Sequence, residues 1–232
     1  MSELALHIPN GIIGIPTSLV FGLIAAIVVG VCVVAARRGL DERLVPLAGL
    51  ATAFIFAAQM LNFPVAAGVS GHLLGGALAA ALLGPWLGVL CVTVVIGVQA
   101  LLFADGGVTA LGMNVVNMAV ISTFVAYGVI ALALKILGRT RTGLTAAVFA
   151  ASVAGVVAAS AGFVLEFAIG GEAPQSLGEV AGAILSVHVL IGVGEGLITA
   201  VAVTAVALTR PDLVYALRGS RLLGTSLEKE TV

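Results

Sequence analysis

Between Leu44 and Ala104 the chain carries no Asp, Glu, Lys or Arg. An apolar stretch of that length exceeds anything a soluble core element needs. One bilayer crossing takes roughly 20 apolar residues as a helix, so the stretch has room for three. Breaks fall inside it at Asn62-Phe63-Pro64 through Gly71 and at Gly84-Pro85, where Gly and Pro interrupt regular backbone. The rest of the chain follows the same plan. Mean hydropathy is +1.25, and charged residues make up 9% of the sequence, against about 25% in soluble domains. A chain of 232 residues accommodates about seven spans with short loops and no soluble domain.

The expected fold is therefore an all-α, polytopic membrane protein. Charges and Gly/Pro breaks place its helices at about 16–36, 45–62, 70–83, 86–103, 112–135, 143–169 and 180–209. Residues 1–209 form one transmembrane bundle and residues 210–232 a polar tail. The third helix is short for a span and is read as partly re-entrant or preceded by an ordered segment. The basic residues test this count. Arg37, Arg38 and Arg43 follow helix 1, Lys135, Arg139 and Arg141 follow helix 5, and Arg210, Arg218, Arg221 and Lys229 lie in the tail. With the N-terminus outside and the C-terminus cytoplasmic, all of them fall inside, as the positive-inside rule requires. Merging helices 3 and 4 would put the second group outside.

A net charge of −1 gives no basic excess for nucleic acid. Cys32 and Cys91 lie in apolar runs and read as small buried hydrophobes, with no disulfide framework. No basic segment precedes the first apolar run, so a cleaved signal peptide is not expected.

The polar residues gather on one side. The topology places His7 and His72 at the outer face. Gln59, Asn62, Gln99, Asn114, Asn117 and His188 fall at similar depth, and Asn114 and Asn117 share a helical face. Amides and imidazoles in lipid need partners, either scattered interhelical hydrogen bonds or one outward-facing pocket. Gly22, Ala26 and Gly30 line one face of helix 1, and Gly71, Gly75 and Ala79 one face of helix 3. Such small-residue faces serve internal packing or, for helix 1, docking of a partner.

A peptide that begins X-His offers its amine, the amide nitrogen of the His and the imidazole as fused chelate rings. A second imidazole completes a planar nitrogen set suited to Ni(II) or Cu(II). His7 is the seventh residue as written. A leucine codon can start translation in bacteria and is then read as Met. Initiation at Leu6 would give Met-His-Ile-Pro-Asn-Gly, with residues 1–5 as an extension ahead of the true start.

Several ordered motifs then resemble one family. They are Ala57-Ala58-Gln59-Met60-Leu61-Asn62-Phe63-Pro64-Val65, Ser70-Gly71-His72-Leu73-Leu74-Gly75-Gly76-Ala77-Leu78 and Leu83-Gly84-Pro85-Trp86. Gln99-Ala100-Leu101-Leu102-Phe103-Ala104-Asp105-Gly106-Gly107, Thr109-Ala110-Leu111-Gly112-Met113-Asn114 and His188-Val189-Leu190-Ile191-Gly192-Val193-Gly194-Glu195 follow. Over about residues 6–205 the chain resembles the CbiM/NikM family. These are the substrate-binding membrane components of cobalt and nickel energy-coupling-factor transporters. The resemblance implies seven helices with the N-terminal segment tucked into the bundle. It implies metal ligation by Leu6 (as initiator amine), His7 and His72. Gln59, Asn62, Asn114, Asn117 and His188 are candidate supporting residues around these ligands. Glu195 either stabilises the last helix or couples to a partner; Glu166 is expected to reach water, and Asp105, Glu172 and Glu179 to be solvated loop charges.

The leading reading is a substrate-capture component, not an enzyme, of an ATP-driven Co(II) or Ni(II) importer in the cell membrane of a bacterium or archaeon. It has no permanent cofactor; the transported ion is its substrate. There is no Gly-x4-Gly-Lys-Ser/Thr loop, so ATP hydrolysis is expected from other subunits. The resemblance implies a membrane coupling protein, an ATPase pair and a small accessory membrane protein, with Gly22, Ala26 and Gly30 as the candidate contact with the coupling protein. A zinc enzyme needs three protein ligands and a nearby base, and no His-Glu-x-x-His occurs. The alternative is a self-contained metal channel or ion-coupled carrier, for which only Glu195 offers a midplane carboxylate.

Overall fold

A computed structural model describes residues 7–39, 42, 44–60, 63–66 and 69–218. Leu6, Arg43, Asn62, Arg221 and Lys229 lie outside the described residues. Helix α1 (Ile15–Arg37) has Pro16 in its first turn, where a missing N–H costs nothing, and Arg37 at its negative end. Helix α2 (Leu44–Gln59) stops before the expected boundary at residue 62. Strands β1 (Phe63–Ala66) and β2 (Val69–Gly71) then form a short antiparallel pair.

Helix α3 (Gly76–Leu83) starts later than the expected residue 70. The cause is Gly75, whose φ of 81° lies outside helical backbone and where an added Cβ would meet Ile55 at 2.7 Å. His72 through Gly75 therefore form an irregular connection ahead of α3. The remaining helices match the expected ranges within a few residues. They are α4 (Pro85–Leu102), α5 (Leu111–Leu137), α6 (Arg141–Gly170) and α7 (Leu177–Thr209). Residues Val115–Ile121 of α5 form a π-helical turn. Thr140 caps α6, and a reciprocal Ser176/Glu179 capping box opens α7.

The five helices α1, α4, α5, α6 and α7 are long and apolar enough to cross a membrane. Helices α2 and α3 are shorter, at 16 and 8 residues. Every residue of α3 is buried, and α2, α4, α5, α6 and α7 all pack against it. A helix apolar on all sides belongs at the centre of such a bundle. Helices α6 and α7 lie against each other through small residues: a Cβ on Gly192 would come 3.0 Å from Val153, and one on Gly196 2.7 Å from Phe149. Leu19, Leu102, Leu132, Ile136 and Val201 point outward. That is costly in water and neutral in lipid, as befits a multi-pass membrane protein.

Candidate metal centre

The segment from His7 to Gly14 is stitched into the bundle at the start of α5 and the end of α6. Asn114, at the start of α5, clamps Ile8 from both sides: Ile8 N donates to Asn114 Oδ1 at 2.8 Å, and Asn114 Nδ2 donates to Ile8 O at 3.3 Å. Gly107 N donates to the same carbonyl at 2.9 Å. Asn10 Oδ1 accepts from Thr109 N and Oγ1. Gly14 N donates to Gly170 O at 2.8 Å, tying the segment to the end of α6. The bonds to Ile8 and Gly14 satisfy backbone groups of the N-terminal segment that would otherwise lack partners.

This path carries His7 onto His72. Their rings stack with centroids 4.8 Å apart and planes 30° apart, and the residues are only 1% and 3% exposed. His72 Nδ1–H donates to Leu73 O at 2.7 Å. A carbonyl only accepts, so the lone pair of His72 is on Nε2. His7 Nδ1 lies 3.0 Å from Asp105 Oδ1 and donates to that carboxylate, which again leaves the lone pair on Nε2. Both Nε2 atoms are buried and have no hydrogen-bond partner. The hydrogen bond from His7 holds the Asp105 carboxyl below its usual range, so an anion borders the pair.

The glycines of Asp105-Gly106-Gly107 make the room. Gly106 has φ 94°, and an added Cβ there would lie 2.9 Å from His7 Cβ. On Gly107 it would lie 2.5 Å from Asn10 N. Gly106→Ala is expected to displace His7 and weaken Ni(II) retention about tenfold, since strain of 1–3 kcal/mol must be relieved locally. Metal titration of the purified variant, with a melting curve to show that the bundle stays folded, checks this.

The other expected residues divide. Asn114 supports the N-terminal segment, and Gln59 Nε2 donates to Leu74 O at 2.6 Å, just beyond His72. Asn117 is not at the histidine pair. It falls in the π turn, which breaks the α-helical spacing assumed from sequence, and it donates to Glu166 at 2.7 Å. Glu166 is thus buried, at 1% exposure, rather than in water. His188 donates Nδ1–H to Ile184 O within its own helix. Asp105 is no solvated loop charge but the partner of His7. Sequence reading also left open what Glu195 does: its carboxylate accepts from Leu74 N and Gly75 N. Among the described residues no three His, Cys, Asp or Glu side chains converge on one metal position.

A family model described as the cobalt uptake substrate-specific transmembrane region, CbiM, matches residues 7–213. An Archaeoglobus fulgidus protein named for nickel transport as a NikMN fusion is 39% identical over 209 residues, covering 90% of this chain and 68% of that one. The cobalt transport protein CbiM of Sorangium cellulosum is 31% identical over 224 residues, covering 94% of this chain and 98% of that one. The crystal structure of a truncated transition metal transporter matches with a TM-score of 0.76 at 30% identity, covering 88% of this chain and 98% of that one. With its fold, its motifs and nearly its whole length shared, the chain belongs to the CbiM/NikM family of membrane components of cobalt and nickel transport.

Proposed function

We propose that this chain captures Co(II) or Ni(II) at the outer face of the cell membrane for an ATP-driven importer. It holds the ion through His7, His72 and backbone nitrogens of the N-terminal segment. The observation that carries this reading is the stacked, buried imidazole pair, with His72 Nε2 left without a partner. A buried lone pair without a donor is costly, and imidazole nitrogen suits both metals. The amine of residue 6, where the chain starts there, and the amide nitrogen of His7 complete the set. Fused rings with that amide close through Nδ1 of His7. Closing them requires the proton on Nδ1 to move to Nε2, which frees Nδ1 from Asp105 and leaves that negative charge beside the cation.

In this reading α2 and the β1–β2–α3 segment supply two further crossings, giving seven, with the N-terminus outside and the tail from residue 210 cytoplasmic. The chain is the capture subunit; a membrane coupling protein, an ATPase pair and a small accessory membrane protein complete the importer. Metal uptake by cells is expected only when the ATPase pair and coupling protein are expressed together with this chain. Uptake by this chain alone would favour the self-contained channel or carrier instead.

The candidate contact with the coupling protein is the face of α1 carrying Gly22, Ala26 and Gly30. Cβ atoms built on Gly22 and Gly30 meet nothing within 4 Å, and Ala26 is exposed. The other side of Gly22 backs closely onto Gly112, where an added Cβ would come within 2.4 Å of Gly22 Cα. Replacing Gly22, Ala26 and Gly30 together by Leu is expected to abolish co-purification of the coupling protein while metal binding by the isolated chain persists. Intact assembly in that variant would refute the contact.

A further inference from the structure

We infer that Glu195 of α7 and Gln59 of α2 are positioning residues: together they clamp the backbone just beyond His72 and so fix the direction of its Nε2. The inference rests on the reading of His72 as a metal ligand.

The argument lies in two consecutive peptide planes. In the first, between Leu73 and Leu74, the N–H donates to Glu195 Oε2 at 2.6 Å, and the C=O accepts from His72 Nδ1 at 2.7 Å. A trans peptide points these groups in opposite directions. One rigid plane therefore links the Glu195 carboxylate to the His72 ring. In the second, between Leu74 and Gly75, the N–H donates to the same Oε2 at 3.3 Å, and the C=O accepts from Gln59 Nε2 at 2.6 Å. Two successive N–H groups converge on one carboxyl oxygen, a concave backbone arrangement. Rotating the first plane breaks bonds to α7 and to the His72 ring, and rotating the second breaks bonds to α7 and α2.

Glu195 and Gln59 are each 1% exposed. Burying a carboxylate inside a membrane bundle is expensive and is normally retained for function. Packing alone does not require it, since an apolar side chain would fill the space. What an apolar side chain lacks is an acceptor for Leu74 N–H. Without that acceptor the Leu73–Leu74 plane turns, its carbonyl leaves His72 Nδ1–H, and both the tautomer and the aim of Nε2 are lost. Such outer partners typically change metal affinity 10–100-fold.

The test compares Glu195→Gln, Glu195→Leu, Gln59→Leu and His72→Ala in the purified full chain. The readouts are Ni(II) affinity by titration, the ligand-field absorption of the Ni(II)-loaded protein and hydrogen exchange of residues 72–76. Glu195→Gln keeps an oxygen acceptor and should stay within about threefold of the parent affinity, with the parent absorption band. Glu195→Leu should lose affinity by at least about tenfold, shift the band and exchange faster at residues 72–76. Gln59→Leu should change all three in the same direction by less. A folded Glu195→Leu variant with parent affinity and band would overturn the inference, and so would Glu195→Gln failing as badly as Glu195→Leu. If Glu195→Leu does not fold, a parent band and parent exchange in Gln59→Leu overturn it. Unchanged affinity in His72→Ala would defeat the metal-site reading itself. Loss in His72→Ala with silent Glu195 and Gln59 variants would defeat the clamp alone.

Discussion

Replacing either histidine of the stacked pair by Asn should lower Ni(II) or Co(II) affinity by at least about a hundredfold, or about 2.7 kcal/mol. Asn is the informative substitution because its amide N–H occupies roughly the place of the imidazole Nδ1–H. His72→Asn can still donate to Leu73 O, and His7→Asn can still donate to Asp105, so the backbone path of each segment is retained. What disappears is the ring lone pair. His72 is 3% exposed, and its ring is stacked on His7, so His72→Asn leaves a smaller void than His72→Ala and tests ligand loss with less disturbance of packing. Thermal melting gives a second readout. A ligand present at about a hundred times its Kd stabilises the folded state by about 2.7 kcal/mol. Nickel should therefore raise the melting temperature of the parent and leave both Asn variants unmoved. Unchanged affinity in both variants would reject the site.

The long helices were legible because a bilayer imposes one rule on every crossing: backbone polar groups are satisfied within the segment, and outward side chains are apolar. Arg37-Arg38-Gly39, Asp105-Gly106-Gly107 and Gly138 then mark where crossings end. The start of α3 was less legible. His72 through Gly75 are apolar enough to read as helix, and what keeps them irregular is tertiary: Ile55 fills the space beside Gly75, and Glu195 and Gln59 hold the Leu74 backbone. Similarly, a charge in a Gly-rich loop reads as solvated until the chain's own N-terminal segment folds over it, as His7 does over Asp105. Glu166 went the same way, because its partner Asn117 reaches it through a π turn that α-helical spacing does not anticipate. The histidine pair itself was legible only through topology and resemblance, since 65 residues separate its members.

A form translated from Leu6, with initiator Met there, should bind Ni(II) at least about a hundredfold more tightly than the chain carrying residues 1–5. The difference lies in one nitrogen. At the start of a chain the nitrogen of residue 6 is an amine with a lone pair to give; after residue 5 it is an amide. The family model matches from His7 onward, and Ile8 is already fixed by Asn114 and Gly107, so the segment is held in place whichever residue begins it. The pH dependence separates the two forms. Metal binding requires the amine to lose its proton, and its reference pKa is about 7.7–8.0. Affinity of the form starting at residue 6 should thus rise about a hundredfold per pH unit below that value, one proton coming from the amine and one from the His7 amide, and about tenfold per unit above it, where only the amide proton is released. The longer form has no amine at the site to titrate. Acetylating the amine of the shorter form should bring it down to the affinity of the longer one. Equal affinities and equal pH profiles would sink the chelate, and a native terminus at Met1 or Ser2 would show that the cell does not use it. His7 itself is buried to 1% exposure, and the nitrogen of residue 6 is its neighbour along the chain. Its being amine or amide changes the donor set there without altering a single side chain.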